Sequence, residues 1–279
     1  MLLLRSIVAL RRMGDEPPLA DRRWGMTPTT PASQPPTALA RPECPEPPEP
    51  FTPLERRPRL LVFDVNETLS DMTHLGDRFV EVGVAPYLAA PWFAGLLRDG
   101  FALTVTGHNP SFADVARATL HTVLHGKANV DAASRHVMAG FLQLPLHDDV
   151  RDGIRALAAL ELRLVTLSNG SADVAEGLFE RGGIRESFEG VFSVEDAPAW
   201  KPAASAYRYA LGKCDVDADE AMLVAVHPWD VHGAKAAGLR AAWINRTGAP
   251  YPDTMYAADL VAPSLPHLAA QLETMPADV

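Results

Sequence analysis

Apolar and polar positions follow two rhythms along this chain, and the rhythm changes near residue 148. The run Arg59-Leu60-Leu61-Val62-Phe63 is short and apolar and stops at Asp64. It predicts a buried strand with a loop at its carboxyl end. From 76 to 147 the spacing is helical, with Trp92, Leu96 and Leu97 in one stretch and Val115, Leu120, Val123 and Leu124 in another. After 148, helix and strand alternate. The pattern predicts helices over 150–160, 171–181, 203–213, 231–238 and 265–274. Strands are expected over 162–167, near Val191-Phe192, over 222–226 and over 240–244, with 259–262 as a last one. Alternation of this kind implies an α/β fold, a doubly wound parallel sheet. The helical block after the first strand reads as an inserted cap. The expected organisation is a Pro-rich disordered tail over 1–58, an α/β core over 59–70 and 148–279, and a helical cap over 71–147. No internal repeat is visible.

Composition changes this picture mainly at the amino end. Residues 1–58 carry 13 of the 25 prolines and a net charge of +1. The formal net charge of the chain is −10, so the acidity belongs to the part expected to fold. An acidic folded part excludes a protein held mainly by nucleic-acid phosphates. No apolar stretch is long enough for a membrane-spanning helix. The opening MLLLRSIVAL is broken by Arg5 and lacks a small-residue cleavage site. It is read as an extension, or as an over-extended start with initiation at Met13 or Met26, and a cytoplasmic protein is expected. Two cysteines, Cys44 and Cys214, make no disulfide framework and no zinc spacing.

In open parallel sheets, ligands bind beyond the carboxyl ends of the strands. The first strand ends in Asp64-Val65-Asn66-Glu67-Thr68, and the second core strand in Ser168-Asn169-Gly170-Ser171. The loop after the third carries Trp200-Lys201-Pro202, and the fourth ends in His227-Pro228-Trp229-Asp230. A carboxylate, a hydroxyl, an ammonium and a second carboxylate are thus offered at four strand ends. Each has a plain structural alternative: a turn former for Asp64, a turn or cap for Ser168, a solvated charge for Lys201, a helix N-cap for Asp230. Their joint occurrence on alternating elements is what points to chemistry.

These residues resemble the motifs of the haloacid dehalogenase superfamily, and within it those of the type II (L-2-haloacid) dehalogenases. FDVNETLSD at 63–71 resembles the nucleophile loop; LSNGS at 167–171, Lys201-Pro202 with Tyr207, PWD at 228–230 and WINRTG at 243–248 match as well. The likeness spans roughly 59–275. It implies that Asp64 attacks C2 of a short 2-haloacid and expels halide, leaving an ester that water hydrolyses, with no metal and no cofactor. Lys201 would keep Asp64 ionised. Thr68 and Ser168 would donate hydrogen bonds to Asp64 or to the substrate carboxylate, and Asn169 would serve that carboxylate. Asp230 would hold Lys201 and position water. Tyr207 takes the place of an active-site tyrosine; read without the resemblance, its hydroxyl is equally at home on a helix surface. Asn66, Trp92, Phe93 and Phe101 are candidates to line the substrate pocket; the plain alternatives are a turn residue for Asn66 and cap core for the three aromatics. His108, in TGHNPSF, is expected at the surface. Members of the family are often homodimers.

The chain also departs from the pattern. Superfamily phosphatases have an aspartate two residues after the nucleophile as acid/base; here it is Asn66, and an amide exchanges no proton at neutral pH. A halide leaving group needs none. The cap arginine that follows a tryptophan in the family is Phe93 here, with Arg98 five residues on as an imperfect replacement. The water-positioning Ser and Asn of the family are Ala225 and His227. His227 reads as a general base for ester hydrolysis or as a loop residue capping the next helix. The leading expectation is a metal-independent dehalogenase. One rival is a magnesium-dependent phosphatase with Asp64 and Asp230 on the ion; another is a non-catalytic relative that binds a small carboxylate or a protein.

Overall fold

A computed structural model of the protein describes residues 56–277. The tail proposed over 1–58 therefore falls almost wholly outside the described residues, as does Cys44. Residues 56–58 are described and are tied down. Arg57 donates from its backbone to Pro276 O at 3.0 Å and from Nε to Leu272 O at 2.7 Å, so the chain is anchored before the first strand begins.

Six parallel strands form the sheet: β1 (Leu60–Phe63), β2 (Arg163–Ser168), β3 (Gly190–Ser193), β4 (Ala221–Ala225), β5 (Arg240–Ile244) and β6 (Leu260–Ala262), in the order β3-β2-β1-β4-β5-β6. Crossovers on both sides of β1 reverse direction there, which opens a crevice at its carboxyl end. The strands are apolar on both faces because both are covered. Along β1, Leu60 and Val62 join one apolar cluster while Leu61 and Phe63 join the other. The second cluster is closed by α5 (Val150–Ala158), α6 (Ala172–Gly182) and α9 (Leu265–Glu273). The first is closed by α7 (Ala204–Cys214) and α8 (Pro228–Ala236), and it runs on into four helices between β1 and β2.

Those four are α1 (Leu75–Glu81), α2 (Ala89–Val105), α3 (Phe112–Val123) and α4 (Val130–Phe141). Ser111 caps α3 and Asn129 caps α4, each accepting from the backbone N–H three residues on. The insertion rests on Trp200. Its indole N–H donates to Pro110 O at 2.9 Å, its ring stacks on Phe112 at 6.0 Å, and Gly100 of α2 lies so close that a Cβ there would strike the ring. Asn109 adds bonds to Val194 O and Ala197 O.

Predicted and observed elements differ most at α8. The sequence places its start at 231, with Pro228-Trp229-Asp230 as loop. The helix begins at Pro228 because proline at the first helical position loses no needed donor and already has the right φ. Asp230 thus sits inside the first turn, not at the N-cap; His227 takes that place, without a side-chain cap bond. Among the described residues, no helix is long and apolar enough to cross a membrane.

Candidate active site

Asp64 follows β1 directly. Its backbone N–H continues the sheet ladder to Val224 O at 3.1 Å, so the carboxylate projects from the middle of the carboxyl edge. Lys201 Nζ donates to Asp64 Oδ1 at 3.0 Å and to Asp230 Oδ2 at 2.6 Å. Tyr207 donates its hydroxyl hydrogen toward Asp230 Oδ1 at 2.6 Å, with Asp230 O at 3.1 Å. Lys201, Tyr207 and Asp230 are all 0% exposed. Gly233 of α8 leaves the room this needs, since a Cβ there would lie 2.6 Å from the Tyr207 hydroxyl. The surface alternative for Tyr207 is thereby overturned.

Thr68 Oγ1 donates to Asp64 Oδ2 at 2.6 Å and accepts from Val226 N at 3.1 Å, tying the loop after β1 to the end of β4. Burial pushes the Asp64 carboxyl up, but Lys201, His227 and Thr68 together outweigh it and hold the group below the usual carboxylate range. Asp230 goes the other way: burial and the charge of Asp64 raise it against the pull of Lys201. Burial pulls the Lys201 ammonium down, and the two carboxylates more than restore it. The Tyr207 phenol is raised well above its ordinary value by burial and by Asp230, so it stays a donor.

Several expected ligands of the substrate have other partners. Asn169 Nδ2 donates to Lys201 O at 3.1 Å and Asn169 Oδ1 accepts from Lys201 N at 2.9 Å. The whole amide clamps the peptide that carries the ammonium. Asn169 is thus a support for the Lys201 backbone, with both ends of its amide engaged there. Ser168 Oγ accepts from Gly170 N at 2.9 Å and makes no bond to Asp64. Trp92 and Phe93 lie in the core of the insertion, 1% and 3% exposed, among Phe79 and Phe141. The Trp92 N–H is taken by Thr119 Oγ1 at 3.0 Å. Helical burial wins over pocket lining at both positions. Phe101 packs edge-on against Trp229 at 5.0 Å. Arg98 is exposed and paired with Asp99, so it replaces no arginine at the site. His108 is exposed, beside Thr106.

His227 lies over Trp229, ring centroids 5.1 Å apart. Its Nε2 faces three oxygens: Asn66 O at 3.1 Å, Asp64 Oδ2 at 3.5 Å and Glu67 Oε2 at 3.6 Å. A ring nitrogen surrounded by acceptors carries a hydrogen. In the tautomer that satisfies Asn66 O, Nε2–H donates to that carbonyl, with the Asp64 and Glu67 carboxylates close by, and this nitrogen then holds a hydrogen where a general base would accept one.

Two spaces meet at this loop. A cavity of about 60 Å³ lies on one side, between Val65, Asn66, Ser168 and Gly170 of the core and Phe112, Met138 and Phe141 of the insertion. A cleft of about 720 Å³ lies on the other, with Glu67, His227, His147, Val226, Tyr87 and Arg246 on its walls. Asn66 and Glu67 are consecutive yet line opposite spaces. The turn between them is made by Glu67 itself, at φ 62°. Non-glycine residues rarely adopt that region. Here both backbone groups are held, N by Ser70 Oγ at 3.3 Å and O by His147 Nε2 at 2.9 Å. Sequence reasoning passed over Glu67 and His147. A glutamate inside a nucleophile loop was the available signal for the first.

The donor set does not fit a magnesium ion. The ammonium of Lys201 stands between the two carboxylates the ion would bridge, and the second oxygen of Asp230 is taken by Tyr207. Among the described residues no group of three or more His, Cys, Asp or Glu is suited to a metal.

A parallel α/β sheet whose central strand delivers a buried aspartate to a lysine-aspartate pair, beside a helical insertion, is the arrangement of a hydrolase with an α/β fold. The chain belongs to the haloacid dehalogenase-like hydrolase family, whose model matches residues 58–238. It is 29% identical over 207 residues to haloacetate dehalogenase H-2 of Moraxella sp. (strain B), covering 73% of this chain and 92% of that protein. It is 27% identical over 218 residues to (S)-2-haloacid dehalogenase of Pseudomonas sp. (strain YL), covering 77% and 94%. In structure it resembles L-2-haloacid dehalogenase from Xanthobacter autotrophicus with chloropropionic acid covalently bound. That likeness has a TM-score of 0.70 at 24% identity and covers 78% of this chain and 99% of that one.

Proposed function

We propose that the protein hydrolyses short 2-haloalkanoic acids without a metal, through an ester on Asp64, with residues 71–147 acting as a cap over the site. The observation that carries this reading is the environment of Asp64. It is 3% exposed, holds its charge against burial, and has one oxygen on an ammonium and the other on a hydroxyl. A desolvated carboxylate fixed by two donors is oriented for displacement at carbon. One of its oxygens attacks C2, the carbon–halogen bond breaks, and halide leaves with the electron pair. No proton is needed, which suits Asn66 beside the cavity. That cavity, at about 60 Å³, holds on the order of four to six water-sized groups, the bulk of a two- or three-carbon acid. The names of the relatives, haloacetate and (S)-2-haloacid dehalogenases, point to the same chemistry.

The test is halide release from (S)-2-chloropropionate with EDTA present, comparing wild type with Asp64→Asn. The expected result is release that EDTA leaves unchanged and the variant abolishes. Release that survives the substitution, or that needs added Mg²⁺, would sink the reading.

A further inference from the structure

We propose that Glu67 is the general base of the second half-reaction: its carboxylate takes a proton from the water that attacks Cγ of the Asp64 ester. The inference rests on the ester mechanism proposed above and assigns a step that mechanism leaves open. Ester hydrolysis at neutral pH needs a proton acceptor near Asp64. His227 is the obvious side chain, but its Nε2–H is spent on Asn66 O at 3.1 Å, with Asp64 Oδ2 and Glu67 Oε2 at 3.5 and 3.6 Å. Asp230 has both oxygens engaged by Lys201 and Tyr207. The remaining acceptor beside that shared nitrogen is the Glu67 carboxylate. No bond to it appears within hydrogen-bond distance, His227 being 3.6 Å away, and its side chain is 41% exposed.

Three further observations agree. Glu67 lines the wide cleft, which has room for water, while the small cavity lies beside Asn66. Its left-handed backbone is strained for glutamate, and both backbone groups are pinned to keep it so. Strain of this kind, held in place by its neighbours, is a mark of functional positions. Burial and the charge of Asp64 raise the carboxyl above the usual glutamate range against the pull of His227 and His147, which makes it a better proton acceptor.

The step balances. Water oxygen bonds to Cγ, and one water hydrogen passes to Glu67. The Cγ–O bond to the substrate carbon then breaks. The second water hydrogen ends on the departing oxygen, giving a 2-hydroxy acid and restoring the Asp64 carboxylate. Glu67 releases its proton to solvent through the cleft. His227 donates toward the carboxylate oxygen as charge returns to it.

Rapid-quench measurement of halide release, with mass spectrometry of the enzyme, tests this in Glu67→Gln and Glu67→Gly. Glycine is included because it adopts this φ freely and removes the carboxylate without strain. The expected result in both is a burst of one halide per enzyme at the wild-type rate. Steady turnover then falls about 100-fold, and an ester accumulates on the peptide containing Asp64. Wild-type steady turnover without accumulated ester would overturn the role of Glu67 and leave the dehalogenase reading intact. Loss of the burst itself would place Glu67 in the first step and also overturn it. No halide release by the wild type from any 2-haloacid would remove both proposals together.

Discussion

The two sides of Asp64 are built to different tolerances. On the Lys201 side every polar atom has a partner: the ammonium bonds two carboxylates at 3.0 and 2.6 Å, Tyr207 holds the second of them, and Asn169 grips the lysine peptide on both edges. Nothing there reaches solvent. On the His227 side the separations are 3.5 and 3.6 Å, the groups are partly exposed, and they border a wide cleft. The contrast separates two tasks. Fixing the charge and direction of a nucleophile favours a dry, fully paired cage, because preorganised dipoles need no rearrangement when the reaction occurs. Moving a proton off an arriving water needs slack and access.

Substitutions on the tight side should have the largest effects. Lys201→Met leaves two buried carboxylates facing each other without a counter-charge. Removing one partner of a buried ion pair costs about 3–5 kcal/mol. Urea unfolding should show a loss of that order, and halide release should vanish. A stability change below 1 kcal/mol would mean the cage is wetter than its 0% exposure indicates. Tyr207→Phe is the intermediate case. It removes a donor to an ionised group, worth about 1.5–3 kcal/mol, and should be read by unfolding together with a slower halide burst.

The smallest and sharpest comparison is in pH. Asp64 lies below the usual carboxylate range, so the burst should persist as pH falls through that range and fail only beneath it. Glu67 lies above its usual range, with His227, His147 and Asp64 facing it, so steady turnover should decline at higher pH than the burst does. Stability follows the same signs. The contribution of Asp64 is fully present above its unfolded pKa and is lost as pH falls through its lower folded value. Coincident acid limbs for burst and turnover would erase the distinction between the two sides.

Much of the tight side was legible before any coordinates. Asp64, Ser168, Lys201 and Asp230 stand at the ends of predicted parallel strands or in the loops after them, and a doubly wound sheet sends those ends to one edge. The pairings within the edge were less legible. Asn169 and Lys201 are 32 residues apart, and only the meeting of two loops shows that the amide bonds a backbone. Trp92 and Phe93 read equally as pocket or core, because both environments are apolar. The expected start of α8 at 231 misses the first turn, because proline at 228 suits a helix start as well as a loop. Glu67 escaped notice because its role depends on one backbone angle, which periodicity does not encode.

Trp200 and Lys201 are joined by a single peptide bond. The indole carries the weight of the insertion through Phe112, Gly100 and Pro110, and the next side chain holds the Asp64 carboxylate. In mechanical language this residue pair is a shared bearing. Load applied to the helical roof is transmitted to the ammonium across one rigid, planar link, so the roof cannot be reshaped at that seat without retuning the charge beneath it.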